Sequence, residues 1–298
     1  MLLSVFRIMR ASLTIPLFCL NTIVCASTMV LLSPVKLMLP FPAWRNFWTA
    51  WFVEVGAAWS TGNSRIINWS RSTTIELDLP EGLSRQHSYL VLANHQTWVD
   101  LAALEHAMGR RIPGRRIFIK HSLIWVPFIG QACWAMDFPF MKRHTAQQLA
   151  QNPELREQNL ATVRATCNRM KGMPSTMLNF AEGTRFTAAK HEQQRSPYTH
   201  LLKPKFAGVA MVLDLLGDSL DHIVDLTIVY PDNPKVPTFG DLFMGKVPRI
   251  VVKARLLPVP QAGENGESPR IRQWLQQIWK EKDQAIAEIL NPSQATAA

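Results

Sequence analysis

The sequence has 298 residues, of which 47% are hydrophobic and 18% are charged, and its formal net charge is +10. This length accommodates one large domain together with a membrane element, and a basic, apolar composition suits an anionic membrane surface or a phosphate-bearing ligand. Nucleic acid is not the expected partner, because the sequence has no Lys/Arg-rich helix, no zinc-ligand pattern and no aromatic ribonucleoprotein motif.

The cysteines and histidines predict neither a metal site nor a disulfide framework. The four cysteines form no CxxC pair, and two of them lie in the apolar N-terminal stretch. Reduced thiols in a cytosol-facing protein are the simplest interpretation. The eight histidines show no HExxH spacing. We therefore expect no metal ion and no cofactor.

The N-terminal stretch predicts a membrane anchor. An uncharged run over residues 11–35 follows Arg7 and Arg10, and it exceeds the roughly 20 residues that span a bilayer. A cleaved signal peptide is the alternative, because Val24-Cys25-Ala26 resembles a small-residue cleavage site. A second apolar segment follows directly, however, which favours an anchor.

This second segment covers residues 37–59 and is rich in aromatic side chains. Arg45 and Glu54 lie inside it, and charges make a complete crossing of the bilayer costly. We expect a tilted or interfacial helix, and the basic residues beyond it indicate a cytoplasmic exit. Residues 1–60 are thus the predicted anchor, either a transmembrane or a re-entrant helical hairpin.

Beyond the anchor, apolar runs of strand type alternate with helical patterns. Strands are predicted over residues 75–79, 89–93, 115–120, 135–141, 175–180, 223–230 and 249–256. Helices are predicted over residues 98–108, 153–170, 206–216 and 268–290, and residues 123–134 are predicted to form an apolar helix or lip. A polar surface loop is predicted over 186–200, and a Pro-rich link joins the last two strands. The alternation predicts an α/β fold with a mixed, mostly parallel sheet and helices on both faces. Residues 61–290 form the predicted domain, and 291–298 a disordered tail.

His95 lies where a predicted strand gives way to a helix. The apolar run 89–93 ends in Asn94-His95, and the next helix starts near Trp98. In open α/β sheets this edge is where ligands bind. Asp100 follows closely enough to hold one imidazole nitrogen and leave the other free to accept a proton. A His and an Asp that only cap a helix are the alternative.

A second predicted strand end carries another set of charged groups. The run 175–180 leads into Ala181-Glu182-Gly183-Thr184-Arg185. Gly183 permits a tight turn or a close backbone approach, and Arg185 supplies a planar fork suited to phosphate. A surface Glu–Arg pair beside a turn is the alternative and would contribute little. Two such strand ends are hard to explain as two separate caps.

Together these motifs resemble those of the glycerolipid acyltransferases, the 1-acyl-glycerol-3-phosphate (lysophosphatidate) acyltransferase family. Asn94-His95 with Asp100 resembles the first signature of that family, and residues 181–185 resemble the third, usually Pro-Glu-Gly-Thr-Arg. The other conserved blocks of the family are resembled, in the expected order, by residues 116–120, 125–130, 138–143, 201–205 and 229–232. The sequence departs from the family at Ala181, where Pro is usual, and at Lys120-His121-Ser122-Leu123, where Lys-Glu-Leu is common.

The resemblance implies a membrane-bound enzyme that moves a fatty acyl group from acyl-CoA or acyl-carrier protein to the free hydroxyl of lysophosphatidate. His95 would act as general base, oriented by Asp100, without a covalent serine or cysteine intermediate. The implied substrate-binding residues are Glu182, Gly183, Thr184 and Arg185, with Lys120 and Arg143 as weaker phosphate candidates. The expected location is the cell inner membrane, with the site facing the cytoplasm.

Other functions stay open. Gly217-Asp218-Ser219-Leu220 spells the nucleophile motif of one esterase family, but it follows a predicted helix and His222 is too close in sequence. We interpret it as a helix end and turn. A membrane-anchored basic module that binds acidic lipid without chemistry is a further alternative. Within the enzyme class, a lysophospholipid such as lysocardiolipin is the second candidate acceptor, given the altered second block.

Overall fold

The computed structural model describes residues 2–69, 72–141, 151–152, 154–171, 173–233, 235–260 and 269–291. It begins with two antiparallel helices, α1 (Leu2–Leu37) and α2 (Pro42–Trp69), which pack against each other. The Asn21 side chain of α1 donates to the Asn63 side chain and to the Trp59 carbonyl of α2. Both expected apolar helices are therefore present, and α2 continues past the predicted end at residue 59.

A six-stranded sheet forms the centre of the domain. Its strands are β1 (Thr74–Asp78), β2 (Tyr89–Ala93), β3 (Arg115–Ile117), β6 (Thr176–Phe180), β7 (His222–Val229) and β8 (Arg249–Leu257), and a separate two-stranded sheet contains β4 (Ile119–Lys120) and β5 (Phe140–Met141). The order in the main sheet is β1-β8-β7-β2-β6-β3. Neighbours in it are parallel except for β7 and β8, which are antiparallel. The predicted mixed, mostly parallel sheet is confirmed.

Helices cover both faces of this sheet. In the described residues the helices after the hairpin are α3 (Val99–Met108), α4 (Ile129–Ala135), α5 (Glu154–Met170), α6 (Ala188–Gln194), α7 (Phe206–Leu216), α8 (Phe239–Phe243) and α9 (Pro269–Leu290). Of these, α4 packs against the hairpin and not against the sheet. Tyr89 and Val91 of β2 pack into a core with α3, whereas Leu90 and Leu92 pack into a second core with α5, α7 and α9. Side chains alternate along a strand, so β2 is buried on both sides, as its continuous apolar run predicts.

The segment from β3 to β5 differs most from the prediction. The expected strand over 115–120 is split, because β3 joins the main sheet whereas β4 pairs with β5. The segment 123–134, expected as an apolar helix or lip, is not one continuous helix. It contains a 3-10 helix (His121–Trp125) and the short α4, because Pro127 restricts the preceding residue to extended backbone. The expected strand over 135–141 keeps only β5, since Asp137 has a φ of 60°, which lies outside the strand region.

Two short helices replace segments that were predicted to lack regular structure. α6 lies within the expected loop 186–200, and the side chain of Thr187 caps it by accepting from the N–H of Lys190. α8 lies in the Pro-rich link before β8 and begins with a capping box between Thr238 and Asp241. Both interpretations as loops were wrong, because each helix is held by a local cap that apolar periodicity does not reveal.

Candidate active site

Three parallel strands bring the two sequence motifs to one edge of the sheet. β2 lies between β6 and β7, and its Ala93 pairs with Phe180 on one side and with Leu226 on the other. Because parallel neighbours end at the same edge, His95, Glu182 and Tyr230 emerge next to one another. The backbone N–H of His95 donates to Oε1 of Glu182 at 3.0 Å, across a sequence separation of 87 residues.

His95 and Asp100 form a hydrogen-bonded pair at this edge. Oδ2 of Asp100 lies 2.8 Å from Nδ1 of His95 and also accepts from the backbone N–H groups of Gln96 and Thr97, at 2.6 and 2.9 Å. Oδ1 accepts from the Tyr230 hydroxyl at 2.6 Å. Asp100 is 0% exposed, so these partners hold it in one position. Nε2 of His95 is left as the ring nitrogen that can receive a proton.

The surroundings of the imidazole are partly apolar. The His95 ring stacks on Phe180 with 4.1 Å between centroids, and its side chain is 15% exposed. Burial, together with the neighbouring Asp100, raises the pKa of Tyr230 well above its usual value. The Tyr230 hydroxyl therefore stays a proton donor at neutral pH and keeps Asp100 oriented. Tyr230 is not among the predicted site residues, although it lies in the last block of the family resemblance.

Glu182 joins two backbone segments and is 1% exposed. While Oε1 accepts from His95, Oε2 accepts from the N–H of Leu202 at 3.0 Å. Burial raises the pKa of Glu182 to about 7, although both N–H donors and the charge of Lys282 act to lower it. The geometry thus gives Glu182 the task of holding the His95 backbone, whereas the sequence led us to expect contact with substrate.

Gly183 forms the turn that follows. Its φ is 67°, and its N–H donates to the Phe180 carbonyl at 2.8 Å. A Cβ at this position would lie 2.8 Å from Cδ of Lys205, whose flexible side chain can move aside, so it is the positive backbone angle that favours glycine here. Lys205 is exposed and adds a cation that sequence analysis did not assign to the site.

Arg185 lies on the same side of the molecule as His95. Its guanidinium sits over the ring of Trp98, 5.5 Å from the centroid. The N–H of Phe186 donates to the His95 carbonyl at 2.7 Å, which ties the two motifs together a second time. The predicted meeting of these motifs at one edge is therefore present in the structure.

A rim of cations surrounds the turn. Nζ of Lys190, on α6, donates to Oγ1 of Thr184 at 2.8 Å and to the Arg185 carbonyl at 3.0 Å. Thr184 therefore positions a lysine, while Arg185 and Lys205 are both exposed beside it. Three positive charges close together favour an anionic group, such as a phosphate, at this side of the turn.

The two weaker phosphate candidates have different outcomes. Lys120 is exposed at the end of β4, and therefore belongs to the small two-stranded sheet and not to the main one. Arg143 lies outside the described residues, so its assignment stays a prediction.

A buried lysine on α9 supports the site edge from inside the domain. Nζ of Lys282 lies 2.6 Å from Oδ1 of Asp225 and donates to the Leu226 carbonyl at 2.6 Å and to Oγ1 of Thr227 at 3.2 Å. The other oxygen of Asp225 pairs with Arg255 at 2.8 Å. Since β7 leads to Tyr230, this ion pair fixes the strand just before it reaches the site.

Lys282 is not among the predicted site residues, although its place on the apolar stripe of α9 could have indicated a buried cation. Ile271, Leu275, Ile278 and Ile286 form the buried stripe of α9, and Lys282 falls on the same helical spacing. A cation on an apolar stripe requires a buried partner. The identity of that partner, in a strand far away along the chain, is not encoded locally.

Residues 74–231 match the family model described as Acyltransferase. The chain is similar to 1-acyl-sn-glycerol-3-phosphate acyltransferase 3 of Arabidopsis thaliana, with 26% identity over 70% of this chain and 55% of that protein. It is also similar to lysocardiolipin acyltransferase 1 of Danio rerio, with 28% identity over 66% of this chain and 51% of that protein. The chain thus spans about half the length of these two curated relatives.

A crystal structure of the 1-acyl-sn-glycerophosphate acyltransferase PlsC from Thermotoga maritima superposes with a TM-score of 0.49 and 13% identity, covering 94% of this chain and 98% of that one. A similarity at this level adds nothing about the site. The family match covers more than half of the sequence and includes both motifs at the sheet edge. The protein therefore belongs to the acyltransferase family.

Proposed function

We propose that this protein is a membrane-bound O-acyltransferase that moves a fatty acyl group from acyl-CoA, or from acyl-carrier protein, to the free hydroxyl of lysophosphatidate, giving phosphatidate. The observation that carries the proposal is the His95–Asp100 pair at the same sheet edge as the Arg185 guanidinium. Relatives from Arabidopsis thaliana and Mus musculus are named 1-acyl-sn-glycerol-3-phosphate acyltransferases, which supports this acceptor.

The reaction requires a base, because an alcohol must lose its proton as it attacks. Asp100 accepts the Nδ1 proton of His95, so Nε2 takes the proton of the acceptor hydroxyl while its oxygen bonds to the thioester carbonyl carbon. Asp100 stabilises the imidazolium that results. When the tetrahedral intermediate collapses, the carbon–sulfur bond breaks and the imidazolium returns the proton to the departing thiolate. Acyl transfer is then complete without a covalent enzyme intermediate.

The carbonyl oxygen becomes negatively charged in this intermediate and requires hydrogen-bond donors. The start of α3 lies directly after His95, and the first N–H groups of a helix have no partner within it. The Trp98 N–H at the start of α3 is therefore one candidate donor. The exposed Nζ of Lys120 is the other.

The acceptor phosphate fits the cationic rim formed by Arg185, Lys190 and Lys205. Arg185 offers a planar fork for two hydrogen bonds to one phosphate, and stacking on Trp98 limits its orientations. Thr184 holds Lys190 at the same turn. We assign these residues to headgroup binding, with Glu182 and Gly183 shaping the turn that presents them.

The N-terminal hairpin supports attachment to a membrane. Among the described residues α1 alone is long and apolar enough to cross a bilayer, over Arg7–Leu37. α1 also follows the domain over much of its length, because Phe18 packs on Phe239 of α8 and Lys36 pairs with Asp137. These two contacts are about 27 Å apart along the helix axis. A helix that crossed the bilayer along its normal would contact the domain only at the end that emerges from the membrane.

We therefore propose that the hairpin lies within one leaflet, with the acyltransferase domain resting against it. Acyl-CoA is a cytoplasmic substrate, so the leaflet is the cytoplasmic one of the cell inner membrane. This arrangement keeps the acyl chain of the acceptor in the bilayer while its hydroxyl reaches His95.

A second acceptor is favoured by one observation. Lys120 is followed by His121-Ser122-Leu123 where the family commonly has a carboxylate, and one of the relatives is named a lysocardiolipin acyltransferase. Another lysophospholipid, such as lysocardiolipin, is therefore the alternative acceptor. The two candidates differ in headgroup size but share a phosphate.

The test is transfer from labelled acyl-CoA by the purified full chain in phospholipid vesicles. The acceptors are lysophosphatidate, monolysocardiolipin, lysophosphatidylglycerol and the phosphate-free monoacylglycerol. We expect lysophosphatidate to react fastest. The Arg185→Ala variant should lose about 10- to 100-fold in kcat/KM with phosphate-bearing acceptors, because a hydrogen bond to a charged group contributes ~1.5–3 kcal/mol.

Arg110→Ala, which removes an exposed arginine just beyond the far end of α3, is the matched control and should leave all acceptors unaffected. An equal loss with monoacylglycerol would mean that Arg185 does not bind the phosphate. If no acceptor consumes acyl-CoA, the non-catalytic lipid-binding module becomes the better description.

A further inference from the structure

Residues 121–135 form an apolar lip, which consists of the 3-10 helix, Pro127 and α4. From Ser122 to Met136 the sequence contains no charged residue. Large side chains nevertheless face solvent there: Trp125 is 78% exposed, Ile129 54% and Phe128 44%. Scattered apolar residues are normal on a surface, but several together mark a binding surface.

The apolar lip is a built structure. Phe128 has a φ of 65°, a conformation that costs ~1–3 kcal/mol and persists only where the surroundings impose it. The N–H of Gly130 donates to the Val126 carbonyl at 2.9 Å, and the N–H of Ala132 donates to the Phe128 carbonyl at 3.0 Å. A Cβ at Gly130 would overlap the carbonyl oxygens of the 3-10 helix. The two helices are thus packed tightly back to back, which holds the large side chains outward.

This surface continues that of the N-terminal hairpin. Ala132 and Ala135 pack in one cluster with Met29 and Phe52 of the hairpin. Nζ of Lys36 donates to the Ala135 carbonyl at 2.8 Å. The turn that follows α1 is itself strongly exposed and apolar at Met38 and Phe41, and so is Phe47 near the start of α2.

We propose that the apolar lip inserts into the same leaflet as the hairpin and extends the contact with the bilayer from the hairpin to the acyltransferase domain. The proposal rests on the membrane function proposed above and adds the residues of that contact. Trp125 is the most exposed large side chain of the lip, and tryptophan is enriched at membrane interfaces, where its ring lies at the level of the headgroups.

The chemistry of the lip favours lipid over a protein partner. A surface for an acidic protein would carry basic side chains among the apolar ones, and the exposed tip has none between Ser122 and Met136. A second copy of the chain would have to cover the lip and the hairpin turn together, which would withdraw α1 from the bilayer. The bilayer alone covers both surfaces at once.

The test uses a variant in which all four cysteines are replaced by alanine, with one new cysteine carrying the fluorophore NBD. The label is placed by Trp125→Cys on the lip, by Phe47→Cys on the hairpin and by Lys280→Cys on the exposed side of α9. The proteins are reconstituted in vesicles of phosphatidylethanolamine and phosphatidylglycerol, with or without nitroxide groups on the acyl chains. We expect quenching by the nitroxides at positions 125 and 47, and none at 280.

A label at position 125 that is quenched by aqueous iodide like the label at 280 would overturn the proposal. So would a blue-shifted label at 125 that the lipid nitroxides do not reach, because a protein partner would then cover the lip. These readouts need no acyl transfer. Failure of the lip therefore remains distinguishable from failure of the proposed enzyme function.

A functional readout completes the test. Trp125→Glu should raise the KM for vesicle-embedded lysophosphatidate about tenfold, which corresponds to ~1.4 kcal/mol, and leave the rate with a water-soluble short-chain acceptor unchanged. Leu290→Glu, at an exposed apolar position at the end of α9, is the control and should change neither. An equal effect of Trp125→Glu on both acceptors would contradict a role confined to membrane contact.

Discussion

The His95 edge of the sheet and the surface formed by the hairpin and the apolar lip have opposite relations to water. At the edge, the polar side chains of Asn94, Asp100 and Glu182 are buried, and each bonds to backbone or hydroxyl groups. On the other surface, Trp125 and Phe41 are exposed. Polar groups inside and large apolar groups outside reverse the usual distribution.

The two regions therefore make their stabilising contacts in different places, the edge within the chain and the apolar surface outside it. A buried polar atom without a hydrogen bond lowers the stability of the fold by about 1–3 kcal/mol, so the polar groups of the edge must bond to other groups of the chain. The geometry of the edge is therefore set before substrate binds. The exposed apolar surface has no such partner among its own residues. It gains free energy only when something apolar from outside covers it.

A substitution of His95 removes the general base and leaves the surface formed by the hairpin and the apolar lip intact. His95→Ala should lower kcat by ~10²- to 10⁴-fold, because a positioned general base contributes that much. Binding to vesicles, measured by flotation, should be unchanged. His200→Ala, at a half-buried histidine on the segment 186–200, serves as the control with full activity. Loss of flotation together with activity would show that the two regions are not separable.

The next effect weakens the edge from inside the domain. Lys282→Met should lower the free energy of unfolding by about 3 kcal/mol, because the buried Asp225 keeps only the partly exposed Arg255 as a partner and the Leu226 carbonyl loses a donor. Urea denaturation of the detergent-solubilised protein measures this. Lys280→Met, on the exposed side of the same helix, should leave the free energy of unfolding nearly unchanged. A similar stability of both variants would show that the ion pair does not support the sheet.

The stability of the edge should also depend on pH, through Glu182. Its folded pKa of about 7 lies above the ordinary value of 4.5, so between these pH values the folded chain holds a proton that the unfolded chain has released. The free energy of unfolding should therefore decrease as pH rises from 4.5 to 7, by up to roughly 3 kcal/mol from this group.

Comparison with Glu182→Gln isolates this contribution, because glutamine does not titrate. The wild type should become less stable relative to the variant as the pH rises through this window. Glu192→Gln, at an exposed position of α6, should show no such slope. A constant difference between wild type and Glu182→Gln would mean that Glu182 is ionised throughout, and that its two N–H donors outweigh its burial.

The elements that sequence predicted well are those with a strong local pattern. β2 is a continuous apolar run and β6 is rich in apolar residues, and both strands begin and end within one residue of the prediction. α9 follows its apolar stripe. Their lengths and neighbours also placed His95 and Arg185 at strand ends, because the carboxyl edge of a parallel sheet follows from strand direction alone. The prediction for residues 115–141 failed because a two-residue strand such as β4 forms only when it pairs with β5, and a local sequence pattern does not reveal that pairing.

Periodicity, run length and motif spacing are local properties of a chain, so they sufficed to predict the α/β class, the apolar hairpin and the residue types of the candidate site. The folded chain was needed to show that Glu182 holds the His95 backbone, that Lys282 pairs with Asp225, and that α1 lies along the domain. Each of these depends on contacts between residues far apart in sequence. Their pairing is set by how two helix-covered faces pack around one sheet, and no local pattern contains that information.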